Sequence, residues 1–99
     1  MNRGYVYILT NDHMPGLVKV GRTTANPKIR ARQLSSTGVP GEFIVKESEF
    51  SKDCKKLESM LHNLFQPTRV NSQREFFKFD ADLAALILRV YAGCGSAVL

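Results

Sequence analysis

The sequence predicts an α+β domain in which a small three-stranded antiparallel sheet is flanked by helices. Two observations carry this prediction. Three short apolar segments have strand character, and the other apolar segments repeat their hydrophobic residues at helical spacing after capping residues. The elements follow as strand, strand, helix, strand, helix, a short strand-like segment and helix, an order typical of helices packed on an antiparallel sheet.

The first two strands are predicted at residues 4–10 and 17–21, joined by a turn of residues that favour turn geometry. If the strands pair as a hairpin, their valine and isoleucine side chains share one face and form a core. The opposite face then displays Tyr5, Tyr7 and Lys19 side by side. A core does not need that cluster, whereas a site that handles a phosphodiester does.

The first helix is predicted from Pro27 to about residue 36, because Asn26 can cap it and proline suits the first helical position. Its apolar residues are few, so one face is expected to be buried while the arginines stay free. Residues 42–50 have strand character and are expected to form the third strand.

The middle helix is predicted to follow Ser51, whose hydroxyl can cap it, and to end at Phe65. The last helix is predicted at about residues 80–92, with Asp80 as its cap. Its expected apolar face comprises Leu83, Leu86, Ile87, Val90 and Tyr91.

Length and composition are typical of one intracellular domain. A chain of 99 residues has the common size of an independent fold, so we expect a single domain over residues 1–99, with its core at about 4–79. No segment has the pattern of a signal peptide or the length of a membrane span, which favours a cytoplasmic protein. We expect a monomer or a homodimer.

The positive charges are clustered, and the formal net charge is +5. One cluster follows the second strand, and another opens the middle helix. Such clusters suit phosphate contacts, which supply most of the sequence-independent affinity for nucleic acids, although a basic surface can also serve solubility alone. The residues expected to contact nucleic acid are Arg22, Lys28, Arg32 and Lys55.

Glu58 and His62 are four residues apart in the middle helix and therefore share a face. As a surface ion pair they would contribute little to stability. As a functional pair, Glu58 would hold one divalent cation beside the sheet, and His62 would orient a phosphate or a water molecule. Both interpretations are open at this point.

Tyr7, Lys19 and Arg30 are further candidates for chemistry. Tyr7 can be a core tyrosine, or a general base whose pKa the ammonium of Lys19 lowers from the same face of the sheet. Arg30 can be a solvated helix residue, or it can grip the scissile phosphate with its two-pronged guanidinium.

A resemblance to a known family lies in four successive motifs. They are Tyr5-Val6-Tyr7, Lys19-Val20-Gly21, Arg30 and Glu58. In this order they resemble the signature of the GIY-YIG nuclease superfamily. The segments 4–11, 18–23, 58–62 and 74–77 are similar to the branch of that superfamily first catalogued from a phage T5 reading frame.

The resemblance implies a role for each matching residue. Tyr7 would be the general base or water positioner, Arg30 would stabilise the phosphate in the transition state, and Glu58 would be the metal ligand. His62 matches a histidine typical of this branch. Supporting places are implied for Tyr5, Gly21 and either Asn71 or Glu75.

The sequence departs from the signature at two positions. Tyr5 replaces the first glycine of the first motif, and Lys19 replaces the tyrosine of the second. The expected function is hydrolysis of nucleic-acid phosphodiesters, of DNA rather than RNA, with one Mg²⁺ or Mn²⁺ ion. The alternatives are a catalytically inactive nucleic-acid-binding module of the same fold and a domain that binds another protein.

Overall fold

The structure is a computed structural model that describes residues 2–35, 40–70 and 75–97. Its strands are β1 (Gly4–Thr10), β2 (Leu17–Thr23), β3 (Ile44–Ser51) and β4 (Phe76–Lys78). Its helices are α1 (Pro27–Ser35), α2 (Cys54–Phe65), the short 3₁₀ helix Gln66–Thr68, and α3 (Ala81–Ala97). Within these ranges, none of the helices is long and apolar enough to cross a membrane.

The strands form one antiparallel sheet in the order β3-β1-β2-β4. This confirms the α+β class and the antiparallel pairing, but the predicted number of three strands is wrong. The fourth strand pairs with β2 from Leu17 opposite Lys78 to Lys19 opposite Phe76. So short a strand has no periodic pattern by which sequence alone could separate it from a loop.

Within the described residues, β4 pairs with only the first part of the outer edge of β2. Beyond Lys19, the backbone N–H of Val20 donates to the carbonyl oxygen of Glu75 at 2.9 Å, and the pairing with β4 ends there. Residues 21–23 of β2 still pair with β1 on their other side.

Both faces of the sheet are covered. Val6 and Ile8 lie in the larger core with residues of α2 and α3. On the other face, Tyr7 and Leu9 pack against α1 and Phe43. The expectation of an open face that displays two phenols and an ammonium is therefore wrong, since Tyr7 is only 2% exposed. Two cores are possible because the odd-numbered residues of β1 are also largely apolar.

The helix caps differ from the prediction at α2. The side chain of Asp53, rather than that of Ser51, caps α2 by accepting a hydrogen bond from the backbone N–H of Lys56 at 3.1 Å. Ser51 ends β3, and its hydroxyl oxygen accepts from the backbone N–H of Asp53. Asp80 caps α3 as predicted, because it accepts from the backbone N–H of Leu83 at 2.8 Å.

Helix α3 differs from its prediction in length and in orientation. It runs to Ala97, past the predicted end at about residue 92. Within residues 81–93 of α3, the buried residues are Ala84, Ala85 and Leu88. Three residues of the predicted apolar face are exposed, namely Leu83, Leu86 and Val90. Small alanine side chains let the helix lie close to the sheet, and a pattern based on hydrophobicity ranks them below leucine.

Two carboxylates share the face of β3 that lies under α3. Glu47 pairs with Arg89 of α3 at 3.7 Å, and Glu49 is two residues further along β3. A hydrogen bond with Glu47, followed by burial, raises the pKa of Glu49 above its ordinary value of 4.5. The folded protein therefore binds this proton more tightly than the unfolded chain does. The resulting stabilisation is present below pH 4.5 and is lost as the pH rises through the raised pKa.

We expect Glu49→Gln to raise the melting temperature by roughly 2 °C at pH 7 and to leave it unchanged at pH 4. The neutral amide keeps the hydrogen bond with Glu47 without the repulsion between two carboxylates. Scanning calorimetry at both pH values measures this, with Glu42→Gln on the exposed surface as the matched control. An equal rise in melting temperature at both pH values would contradict the hydrogen bond between Glu47 and a protonated Glu49.

Candidate active site

The ring of Tyr7 lies over the backbone of β2. In the β1–β2 register, Tyr7 is opposite Gly21. A Cβ atom at Gly21 would lie 2.5 Å from the hydroxyl oxygen of Tyr7 and 2.7 Å from the ring carbon that bears it. Gly21 is thus the residue whose missing side chain leaves room for the phenol over β2.

Burial and three charged residues from other parts of the chain change the pKa of the Tyr7 phenol. Burial raises the pKa of Tyr7 above its ordinary value of 10.0, and the charges of Glu75 and Glu58 raise it further. A hydrogen bond from Arg30, together with its positive charge, acts in the opposite direction without cancelling the effect of burial. The pKa of this hydroxyl group therefore depends on Arg30 of α1, Glu58 of α2 and Glu75, which directly precedes β4.

Lys19 does not lower the pKa of Tyr7, contrary to the prediction. It lies on the same face of the sheet but stands opposite Leu9 in the β1–β2 register. Its ammonium is 3.1 Å from Oε1 of Glu75 and 5.1 Å from the centre of the Phe76 ring. Since Glu75 neutralises this charge, burial dominates at the phenol, and the pKa of Tyr7 is raised.

The carboxylate of Glu58 is largely withdrawn from solvent, and the residue is 8% exposed. Its Oε1 accepts a hydrogen bond from Nε of Arg22 at 3.1 Å. Burial raises the pKa of Glu58, the charge of Glu75 raises it further, and His62 and Arg22 lower it. A carboxylate in this position needs nearby positive charge to stay ionised, which suits a cation ligand.

The imidazole of His62 is held by three neighbours. Its Nε2 lies 2.9 Å from the carbonyl oxygen of Val20, and because a carbonyl can only accept, this nitrogen carries a hydrogen and donates it. The same nitrogen is 3.9 Å from Oε2 of Glu58, and the ring packs against Phe77. The Glu58 and His62 side chains are only 11% and 19% exposed, so the interpretation as a solvated surface pair is wrong.

Glu58, His62 and Glu75 form a cluster of candidate metal ligands. One ligand atom from each lies within 4.8 Å of those of the other two. Nε2 of His62 donates to the carbonyl of Val20 and is not available to a metal, whereas Glu58 and Glu75 offer carboxylate oxygens. Oxygen donors suit Mg²⁺ and Mn²⁺. The residues present therefore fit a divalent cation at Glu58, the predicted ligand.

The predicted nucleic-acid-binding residues lie on the elements that surround this cluster. Lys28 and Arg32 are exposed on α1. Lys55 is exposed on α2, about one helical turn before Glu58. Arg22 differs from these three residues, because its guanidinium pairs with Glu58 while its side chain remains 40% exposed.

The predicted supporting residues have different positions. Tyr5 packs edge-on against Phe50 of β3, with ring centres 5.7 Å apart, and so braces the β1–β3 pair. Asn71 lies outside the described residues. Glu75, the other candidate for the same supporting role, lies at the cluster and pairs with Lys19.

Sequence reasoning missed the aromatic residues that hold the charged groups. Phe76 lies beside the ammonium of Lys19, and Phe77 packs against both His62 and Arg69. The adjacent Phe76 and Phe77 were the available signal, because consecutive strand residues point to opposite faces of a sheet. One short strand can thus support charged side chains on both faces.

The match with a known protein family covers nearly the whole chain. The family model of the T5orf172 domain matches residues 4–92. No curated protein and no solved structure matches the chain. The matched residues include those that contribute to the site on β1, β2, α1, α2 and β4. The chain therefore belongs to the T5orf172 domain family.

Proposed function

We propose that this domain is a metal-dependent endonuclease of the GIY-YIG type that hydrolyses nucleic-acid phosphodiesters, with DNA as the expected substrate. The grouping of Glu58, His62 and Glu75, whose ligand atoms lie within 4.8 Å of one another, is the observation that supports it most, together with the influence of Arg30 and both carboxylates on the pKa of Tyr7. Metal-dependent hydrolysis of a phosphodiester uses a proton acceptor, a cation for the phosphate and a ligand for the metal ion. Tyr7, Arg30 and Glu58 match these three needs.

Glu58 is the proposed ligand of one Mg²⁺ or Mn²⁺ ion, which when bound supplies positive charge at the phosphate and the leaving oxygen. Arg30 lies next to Tyr7, so a phosphate placed beside the phenol is also within reach of a guanidinium. Its two-pronged donor geometry suits the oxygens of a phosphate that gains charge in the transition state. Lys28, Arg32 and Lys55 would bind the flanking phosphates.

Tyr7 first positions the attacking water. Because its pKa is raised, the phenol is protonated at neutral pH and can hydrogen-bond a water molecule. The hydrogen bond from Arg30 favours the phenolate, so Arg30 raises the fraction of Tyr7 that can accept a proton from water. In its phenolate form, Tyr7 takes a proton from the attacking water while the water oxygen bonds to phosphorus. The bond between phosphorus and the leaving oxygen breaks, and the leaving oxygen takes up a proton from solvent.

The second candidate function is a nucleic-acid-binding module without catalysis. It is favoured by the ion pairs Arg22–Glu58 and Lys19–Glu75, which satisfy both carboxylates with protein cations. A binding module would need no metal, so added Mg²⁺ would only weaken its binding by screening. A nuclease would instead cleave DNA in the presence of the metal and stop when EDTA is added.

We expect Arg30→Ala to lower the rate of metal-dependent DNA cleavage by about 10²–10³-fold, because it removes charge stabilisation in the transition state. The measurement is nicking of supercoiled plasmid at saturating protein. Arg89→Ala is the matched control, since Arg89 is exposed on α3 and pairs with Glu47. Cleavage by Arg30→Ala at the rate of the control would contradict the assignment of Arg30.

A further inference from the structure

Each carboxylate of the candidate metal site has its own protein cation. Arg22 Nε lies 3.1 Å from Glu58, and Lys19 Nζ lies 3.1 Å from Glu75. The two carboxylates belong to one cluster, whose ligand atoms lie within 4.8 Å of one another. The basic side chains thus supply the charge that a divalent cation would supply at the same place.

The two members of the Lys19–Glu75 pair differ in how firmly they are held. The side chain of Lys19 is 13% exposed and lies against the ring of Phe76. The side chain of Glu75 is 42% exposed. The backbone of Glu75 is fixed beside the site, because its carbonyl oxygen accepts from the N–H of Val20. Glu75 can therefore change partners by side-chain rotation alone, whereas Lys19 is confined.

We propose that Glu75 is a second carboxylate ligand of the divalent cation at Glu58, and that Lys19 is the counter-ion that holds Glu75 until the cation binds. This inference rests on the proposed function. When Glu75 turns to the cation, the ammonium of Lys19 loses its partner and becomes available to a phosphate. Lys19, which stands in place of the tyrosine of the second motif, thereby couples metal binding to nucleic-acid binding.

The coupling predicts two opposite effects of removing the charge of Lys19, one on metal affinity and one on the gain in DNA affinity that the metal causes. Lys19 competes with the metal for Glu75, so removing its charge should strengthen metal binding. Lys19 also supplies a phosphate contact once it is freed, so its removal should abolish part of the gain in DNA affinity that the metal brings. Since coupling between two ligands is reciprocal, DNA must raise the affinity for the metal by the same factor.

The test is calorimetric titration of the purified domain with Mn²⁺ alone. We expect Lys19→Met to bind Mn²⁺ about fivefold more tightly than Lys46→Met. Lys46→Met is the matched control, because it removes the same charge from another carboxylate pair, Lys46–Asp82, between β3 and α3. Glu75→Gln is expected to bind Mn²⁺ at least about tenfold more weakly than the wild type. Thermal melts verify that all variants are folded.

A second titration tests the coupling itself. A short duplex is titrated in Ca²⁺ or in EDTA at equal ionic strength, and the gain in affinity caused by Ca²⁺ is expected to be smaller in Lys19→Met than in Lys46→Met. The proposal is overturned if Lys19→Met binds Mn²⁺ no more tightly than Lys46→Met, or if Glu75→Gln binds it as the wild type does. If either of these results is found while Glu58→Gln loses Mn²⁺ binding, the proposed nuclease function stands. Only the proposed role of Glu75 is then refuted.

Discussion

Glu58→Gln is expected to abolish detectable cleavage of DNA, a loss of at least about a thousandfold, while the protein still binds DNA and remains folded. Glutamine has the size of glutamate and can still accept the hydrogen bond of Arg22, but it lacks the charge that holds a divalent cation. Because burial raises the pKa of Glu58, replacing the carboxylate is not expected to destabilise the fold. Plasmid nicking in Mn²⁺, with thermal melts alongside, measures both properties.

The matched control for Glu58→Gln is Glu49→Gln. Glu49 lies on β3, which is separated from β2 by β1, so the same chemical change is made away from the site. This control should nick plasmid at the wild-type rate. Cleavage by Glu58→Gln at more than about a tenth of that rate would contradict the metal-ligand role of Glu58.

Gly21→Ala is expected to have the second-largest effect, because the added methyl group overlaps the hydroxyl and ring of Tyr7. Tyr7 is only 2% exposed and is enclosed by Leu9, Ala31 and Phe43, so its ring cannot move aside freely. We expect cleavage to fall by about a hundredfold through displacement of the phenol. The overpacking should also lower the free energy of unfolding by about 1–3 kcal/mol.

Gly93→Ala provides the same substitution without the steric conflict. Gly93 lies in α3, and an added Cβ meets no atom within 4 Å. Alanine in a helix should stabilise the protein by about 0.5–1 kcal/mol and leave cleavage unchanged. If Gly21→Ala cleaves DNA as fast as Gly93→Ala does, the phenol of Tyr7 has no positional role in catalysis.

The sequence predicted local elements better than their contacts across the sheet. The strand β1 and the starts of β2 and α1 lie where alternation and capping residues place them, because these signals act over a few neighbouring residues. The fourth strand could not be predicted with the same certainty, since its three residues pair with a strand more than fifty residues earlier in the chain. The orientation of α3 depends on how closely Ala84 and Ala85 approach the sheet, which hydrophobicity alone does not reveal.

In the candidate site, the sequence identified the residues but not the electrostatic effects between them. The sequence singled out Tyr7, Arg30 and Glu58, and in the structure Arg30 and Glu58 both influence the pKa of Tyr7. The sign of the pKa shift of Tyr7 was predicted wrongly, because sharing a face with Lys19 says nothing about which carboxylate Lys19 meets. That contact depends on Glu75, which comes 56 residues later and is brought to β2 by the start of β4.

The most direct test of the proposed function is nicking of supercoiled plasmid by the wild-type protein in Mg²⁺, in Mn²⁺ and in EDTA. We expect relaxed circles to accumulate with either metal and to be absent in EDTA. Salt-dependent retardation of the plasmid in all three conditions, without nicking in any, would contradict the nuclease proposal and would identify the domain as a nucleic-acid-binding module.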